Sequence, residues 1–365
     1  MTVRWPSSLL LAFFLGWGIT CSAQEPREQR DDTALVRPLA KSPFGHPPFE
    51  DRFAVRSPDQ TIVFLGGTST VDRQTHGYLE TLLSLSYADR SLRFRNLGWE
   101  ADTVFRQQRP RFFYTTERFE RGVKDQRPLV PADIVFLEFG QIESLDGLQR
   151  LDEFQAAYAR IIEEVKARTA QVVIVSPAPF LPIGPAAQMA VRRNQVLAAY
   201  AQRIRQLAER FDCLLVDQFS EFVSVDATDA QKLSSTGIRW TSYGQWMSAL
   251  YITRQLSATS RLATGFDVVQ QRFDNELAEV IRREVLAKNR LWFQQFRPTN
   301  WAFLYGNRQD TESSWDIGKK NRWFPGEVEQ LPEMIERAEL RIRSLVVGDN
   351  SVEAEQAGFR LARHN

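Results

Sequence analysis

The stretch that decides the fold is Thr61-Ile62-Val63-Phe64-Leu65-Gly66-Gly67-Thr68-Ser69. Its apolar, β-branched first half predicts a strand that is buried on both faces. The two glycines end that strand abruptly, before a helical segment that begins near Arg73. Ligands in open α/β sheets bind just past the carboxyl ends of such strands. Thr68 therefore stands where a nucleophile is expected, although a hydroxyl that caps an ordinary strand-to-helix turn gives the same pattern.

Downstream of this strand, further apolar runs alternate with helical segments, which predicts a parallel sheet with helices on both faces. Right-handed crossovers then give an α/β fold, a flavodoxin-like three-layer α/β/α sandwich with a five-stranded parallel sheet. Its first and third strands meet at the topological switch point, which places Gly66–Ser69 against Gly140–Ser144 and predicts a site there. The other predicted strands are Leu92–Asn96, Asp133–Phe139, Val172–Val175 and Cys213–Val216, and the predicted helices are Gln74–Leu85, Leu151–Arg168 and Val191–Phe211.

The first 23 residues have the three parts of an export signal. Arg4 supplies a positive end, Leu9–Ile19 is an apolar run too short to span a membrane comfortably, and Cys21-Ser22-Ala23 is a small-residue cleavage site. We expect cleavage after Ala23 and a periplasmic or secreted protein with no membrane span. A lipoprotein with an acylated Cys21 is the alternative. Residues 24–58 are rich in Pro, Arg, Asp and Gln and are expected to form a linker.

The charge balance excludes some classes of partner. Removal of residues 1–23 takes away Arg4 and no acid, so 45 basic residues face 45 acidic ones. A neutral chain is not expected to bind nucleic acid or an anionic membrane surface. Cys213 is then the one cysteine left, so no intrachain disulfide is expected. The spacing of His, Cys and Asp matches no metal site, and the glycines match no phosphate or dinucleotide loop, so we predict neither metal nor cofactor.

One further motif carries a family resemblance. Arg95-Asn96-Leu97-Gly98-Trp99, followed by Asp102-Thr103-Val104, resembles the SGNH or GDSL-like hydrolases, in the divergent form found in exported proteins of planctomycete-type bacteria. The likeness runs from about Thr61 to Tyr251. It implies an SGNH-hydrolase fold over residues 59–262 and an activity related to carbohydrate and acyl esterases. In that family, a serine, an oxyanion-hole glycine and asparagine, and an Asp-x-x-His pair carry out catalysis.

Four of those five family positions are substituted in this chain. Thr68 takes the serine position, Ile142 the asparagine position, Thr236 the aspartate position and Arg239 the histidine position, whereas Gly98 keeps the glycine. A guanidinium stays protonated and cannot act as a general base. We therefore expect a catalytically weak or inactive protein that binds a small ester or glycan ligand. The cation of Arg239 predicts that an anionic group is preferred.

Two residues are candidate substitutes for the missing base. His76 lies about two turns after Thr68, and Glu143 follows the third strand. A surface histidine and a carboxylate that interacts with a helix dipole are the structural alternatives. We also expect a second group of side chains to contact the ligand: Ser69, Gln141 and Trp240.

Residues 263–346 are predicted to form a helical extension, followed by a disordered tail over 347–365. Helices are expected over Phe273–Phe293 and Leu331–Leu345. The aromatic residues there either stack on sugar rings or pack onto the α/β domain. Two other functions stay open: an active ester hydrolase that uses Thr68 with an unconventional base, and a structural or partner-binding role in an exported assembly.

Overall fold

The computed structural model describes residues 59–106, 132–167, 169, 171–184, 187–299, 301–304, 308, 310–312, 317–318 and 323–348. The predicted signal peptide, the linker and most of the predicted tail lie outside these ranges.

Five parallel strands form one sheet, in the spatial order β2-β1-β3-β4-β5. This order confirms the predicted α/β fold with a flavodoxin-like parallel sheet. Because β1 lies between β2 and β3, the carboxyl ends of the first and third strands are neighbours, with Gly66 opposite Glu138. The strands are β1 (Asp59–Gly66), β2 (Ser91–Asn96), β3 (Ile134–Glu138), β4 (Gln171–Val175) and β5 (Leu214–Val216).

Helices cover both faces of this sheet and continue beyond it. In the described residues they are α1 (Thr68–His76), α2 (Tyr78–Ser86), α3 (Leu151–Lys166), α4 (Ala187–Arg210), α5 (Gln218–Phe222), α6 (Ala227–Leu233), α7 (Ser242–Gln255), α8 (Glu276–Phe296), α9 (Trp301–Leu304), α10 (Trp323–Glu329) and α11 (Leu331–Val347). Two 3-10 turns, Glu143–Asp146 and Leu148–Arg150, follow β3, and a short antiparallel pair, β6 (Phe266–Asp267) and β7 (Arg272–Phe273), precedes α8.

The core lies on both faces of β1, as its continuous apolar run predicts. Val63 and Leu65 belong to a buried cluster that includes side chains of α3 and α4. Phe64 lies on the other face, beside Leu79 of α2 and Ile252 of α7. The sheet is therefore the middle layer of a three-layer sandwich.

The single helix predicted over Gln74–Leu85 is wrong. The chain forms α1 from Thr68 and then α2 from Tyr78, and Gly77 separates them with a φ of 73°, in the left-handed region. A residue with a Cβ is strained there, so the glycine permits the break. Helix α1 consequently begins directly after β1 and places Thr68 in its first turn.

The helical extension covers the edge of the sheet. Lys288 of α8 donates to the carbonyl of Phe94 at 3.4 Å, and the Trp292 indole donates to the carbonyl of Asn96 at 2.7 Å. These carbonyls lie on the outer edge of β2, and an uncovered edge strand can pair with a strand of another chain. Trp292 and Phe296 are buried in the main core, which favours the packing interpretation of these aromatic residues over sugar stacking. No helix in the described ranges has the length and apolar character needed to cross a bilayer.

Candidate active site

The carboxyl ends of β1 and β3 form a small shared cavity. Thr68 and Ser69 begin α1 directly after β1, and Gln141, Ile142 and Glu143 follow β3; all five line the cavity. Its volume is about 20 Å³, which is room for about one water molecule. The structure thus brings the serine and asparagine positions of the family motif together, with isoleucine where a donor would stand.

Thr68 receives a hydrogen bond from a backbone amide that the sequence did not single out. The N–H of Ala101 donates to Thr68 Oγ1 at 3.1 Å. Ala101 has a φ of 57°, a left-handed conformation that favours glycine. The amide that faces the hydroxyl therefore comes from Ala101.

Gly98, the predicted oxyanion-hole glycine, uses its amide in a different contact. Its N–H donates to Asn96 Oδ1 at 2.8 Å, while Asn96 Nδ2 donates to the carbonyl of Thr70 at 2.7 Å. Asn96 thus ties the turn after β2 to α1, and the Gly98 amide is used within that turn. The oxyanion-hole role of Gly98 stays a prediction from the family resemblance, and the amide that contacts Thr68 in this structure is that of Ala101.

Arg239 reaches the site from the loop before α7. Its guanidinium lies 3.4 Å from Asp72 Oδ1, one turn after Thr68 on α1, and 3.6 Å from Glu100 Oε1. Burial raises the pKa of Asp72, and the nearby Arg239 opposes that rise. Two carboxylates thus compensate the charge of the guanidinium that was expected to favour an anionic ligand.

Thr236 does not orient a base. Its Oγ1 accepts from the amides of Ile238 at 3.3 Å and Arg239 at 3.0 Å, so the hydroxyl closes its own turn. Trp240 packs edge-on against Phe222, with ring centroids 4.9 Å apart. In this structure both side chains shape the loop.

His76 lies far from Thr68 along α1. His76 is the eighth residue after Thr68, which corresponds to about 12 Å along the helix axis. His76 is the last residue of α1, where its Nδ1 lies 2.9 Å from the carbonyl oxygen of Asp72. A base must lie within hydrogen-bond reach of the proton that it removes, so His76 is not positioned to activate Thr68 directly.

Glu143 is buried and accepts from two backbone amides. Val104 N–H donates to Oε1 and Gly140 N–H to Oε2, each at 2.9 Å. Burial, with a smaller contribution from nearby Asp102, raises the pKa of this carboxyl to about 7, against the effect of those amides. Both oxygens are therefore engaged in joining the segment after β2 to the turn after β3, and Glu143 acts here as a positioning residue.

A buried polar network beneath the cavity was not predicted. Arg73 donates to both oxygens of Glu138, at 2.9 and 3.0 Å, and to Ser248 at 2.8 Å. Gln218 joins the same network, hydrogen-bonded to Ser248 and to Glu138. Glu138 also lines the cavity. The sequence signal was an acid that ends an otherwise apolar strand, because a buried carboxylate requires a partner. No group of three or more potential metal ligands occurs in the described residues.

Comparisons with known proteins agree with this architecture. A profile of the GDSL-like lipase/acylhydrolase family matches residues 60–247, more than half of the chain, and confirms the resemblance. Among solved structures, the chain is similar to a gut microbial diltiazem-metabolizing enzyme, with 13% identity and a TM-score of 0.52 over 80% of this chain and 95% of that one. It is also similar to a catalytic mutant of Axe2, an acetylxylan esterase from Geobacillus stearothermophilus, with 19% identity and a TM-score of 0.39 over 56% of this chain and 97% of that one. The first likeness shows the fold alone, and the second is too weak to support a conclusion. No curated protein matches the chain.

Proposed function

This chain belongs to the GDSL-like lipase/acylhydrolase family, and we propose that it is an exported member with little or no hydrolytic activity. In this proposal the cleft at the carboxyl end of the sheet binds a small ester or a glycan. Export rests on the charged, apolar and small-residue segments of Met1–Ala23.

The observation that carries the proposal is the bonding of Thr68. A serine-type nucleophile needs a base that accepts its proton, whereas the Thr68 hydroxyl accepts from the Ala101 amide and donates to no group in the described residues. The residue at the family's base position, Arg239, is a guanidinium held by Asp72 and Glu100. General-base help is worth about 10²–10⁴-fold in rate, so its loss alone would reduce turnover severely.

Stabilisation of the transition state is weakened as well. Ile142 offers no side-chain donor at the cavity, and loss of one such donor costs roughly 3–4 kcal/mol where it has been measured. The Ala101 amide is engaged by the Thr68 hydroxyl. An oxyanion would have to displace that hydroxyl before it could use the amide.

The proposed ligand is neutral. Because Arg239 is paired with two carboxylates, this guanidinium offers an anion no uncompensated charge within the described residues. The hydroxyls of Thr68 and Ser69 and the amide side chain of Gln141 line the cavity, and such groups suit the hydroxyl and acetyl oxygens of a glycan. Since the cavity holds about one water molecule, the ligand would lie across its mouth.

The test of weak catalysis is turnover of an activated acetyl ester by the purified protein. We expect wild type, Thr68→Ala and the matched control Thr75→Ala, an exposed threonine of the same helix, to give the same background rate. Saturable turnover that Thr68→Ala abolishes and Thr75→Ala keeps would overturn the proposal. That result would favour the alternative, an active hydrolase that uses Thr68.

A variant that restores the family residues tests whether activity is lost because side chains are missing or because the backbone of the site is distorted. The change combines Thr68→Ser, Ala101→Gly, Ile142→Asn, Thr236→Asp and Arg239→His. We expect measurable turnover from this variant, and none from Thr68→Ser alone, because base, orienter and donor would still be missing.

Ligand binding and export need separate measurements. Calorimetric titration with a matched pair of oligosaccharides, one O-acetylated and one deacetylated, tests binding. Weaker binding by Thr68→Ala than by Thr75→Ala would locate the ligand at this site. For export, we expect an N-terminus at Gln24 on protein recovered outside the cytoplasm; an intact Met1 on cytosolic protein would contradict it.

A further inference from the structure

A second, larger cleft lies at the edge of the sheet, away from Thr68. It is bounded by the edge strand β2 and by α2, α8 and α11, and its volume is about 460 Å³. Pockets for small molecules usually measure about 300–1,000 Å³. Ser91 and Leu92, at the amino end of β2, line this cleft, whereas Thr68 lies beyond the carboxyl end of the neighbouring strand. The cleft is therefore separate from the candidate active site.

Two arginines of this cleft have uncompensated charges. Arg93 of β2 and Arg343 of α11 are exposed, line the cleft, and make no hydrogen bond or ion pair in the part of the chain that the structure describes. They approach the cleft from two different elements, a strand and a helix. One exposed acid, Glu336 of α11, lies on the same lining. The unpaired charges of these three side chains are therefore two positive and one negative.

The other charged side chains of the lining have partners. Arg95 forms an ion pair with Glu339, and Glu80 forms one with the fully buried Lys288 at 2.6 Å. Arg90 lies 3.4 Å from Asp89. These groups are neutralised where they stand, so the uncompensated charge of the cleft is positive.

Apolar side chains and hydroxyl groups make up much of the remaining lining. Leu92, Leu340 and Val346 line the cleft with apolar surface, and Leu340 is 52% exposed. Thr61 and Ser84, which are 5% and 8% exposed, also line it, and their hydroxyls make no hydrogen bond in the described residues. These hydroxyls are therefore available to water or to a ligand inside the cleft.

We propose that this cleft binds a small amphipathic anion. Its carboxylate or phosphate would lie between Arg93 and Arg343, since guanidinium forks bind both groups through charge-assisted hydrogen bonds. Its apolar body would lie against Leu92, Leu340 and Val346. This proposal is independent of the fate of catalysis at Thr68.

Calorimetric titration with four probes tests the proposal: octanoate, octyl phosphate, octan-1-ol and inorganic phosphate. The first two distinguish a carboxylate ligand from a phosphate ligand, and the last two remove the charge or the apolar body. We expect saturable binding of one molecule of octanoate or octyl phosphate per chain, at least about tenfold tighter than binding of octan-1-ol or inorganic phosphate. Equal binding of octan-1-ol, or no saturable binding of either amphipathic anion below about 1 mM, would overturn the proposal.

Matched variants locate the binding. The double change Arg93→Gln and Arg343→Gln should weaken binding at least about tenfold, as expected for loss of a charge-assisted hydrogen bond. Arg337→Gln is the control, because Arg337 is an exposed arginine of α11 that is paired with Glu333 and does not line the cleft. Unchanged affinity in the double variant, or an equal loss in the control, would refute the assignment. All of these side chains are exposed, so thermal unfolding should show that every variant is folded.

Discussion

Glu143 should make the stability of the protein depend on pH. Burial raises its pKa in the folded protein from the ordinary value of 4.5 to about 7. Below the lower value, both the folded and the unfolded chain carry the proton. Between the two values, only the unfolded chain loses it, so ionisation stabilises the unfolded state. The difference between the two pKa values corresponds to roughly 3 kcal/mol of unfolding free energy. That stability is fully present below pH 4.5 and is lost as pH rises to about 7.

The assay is urea unfolding of wild type and Glu143→Gln from about pH 4 to about pH 8. The glutamine cannot ionise, so other titrating groups cancel in the difference between the two proteins. We expect the free energy of unfolding of wild type, minus that of the variant, to fall by roughly 3 kcal/mol with rising pH. At every pH, the variant should also have a free energy of unfolding lower by about 1–3 kcal/mol, because its amide nitrogen cannot accept a hydrogen bond from Val104 or Gly140. A difference that does not change with pH, or that rises with it, would refute the reasoning.

Three further predictions concern packing and backbone, and urea unfolding checks each of them. Lys288→Met should lower the free energy of unfolding by about 3–5 kcal/mol, because it leaves the buried Glu80 carboxylate without its partner. Adding Glu80→Leu should restore most of that stability. A double variant as unstable as Lys288→Met would show that the loss is not caused by the buried charge. Trp292→Phe should lower the free energy of unfolding by about 1–3 kcal/mol, because the carbonyl of Asn96 loses its hydrogen bond from the indole. An unchanged urea midpoint would show that this hydrogen bond does not stabilise the protein. Ala101→Gly should stabilise the protein by up to about 1 kcal/mol by relieving a left-handed alanine; destabilisation would show that the alanine is not strained.

The fold could be predicted because its central strands have a simple signature. β1 and β3 are buried on both faces, so they appear in the sequence as uninterrupted apolar runs. The break between α1 and α2 was missed because the apolar side chains after Gly77 keep helical spacing. A glycine within such a pattern shows only that a left-handed conformation is permitted, and the packing of the two helices determines whether it is used.

The site was only partly predictable, for a different physical reason. That Thr68 and Ile142 share a cavity follows from strand order, which the alternation of strands and helices implies. The role of Ala101 depends on a backbone amide and a φ angle, and neither is visible in an alanine. The partners of Arg239 could not be inferred either, since Asp72 and Glu100 lie more than a hundred residues away in sequence.

The loop that carries Arg239 keeps its place without help from the substituted residue. Arg239 is about half exposed, and ion pairs of that kind contribute only about 0–1 kcal/mol. Backbone contacts hold the loop more firmly: Leu181 N–H donates to the carbonyl of Gly237 at 2.8 Å. Gly237 has a φ of 82°, and an added Cβ would lie 2.7 Å from the carbonyl oxygen of Leu181. Gly237 and its backbone hydrogen bond therefore hold the loop independently of the side chain at position 239. We expect a histidine introduced at position 239 to point towards the site as the Arg239 side chain does.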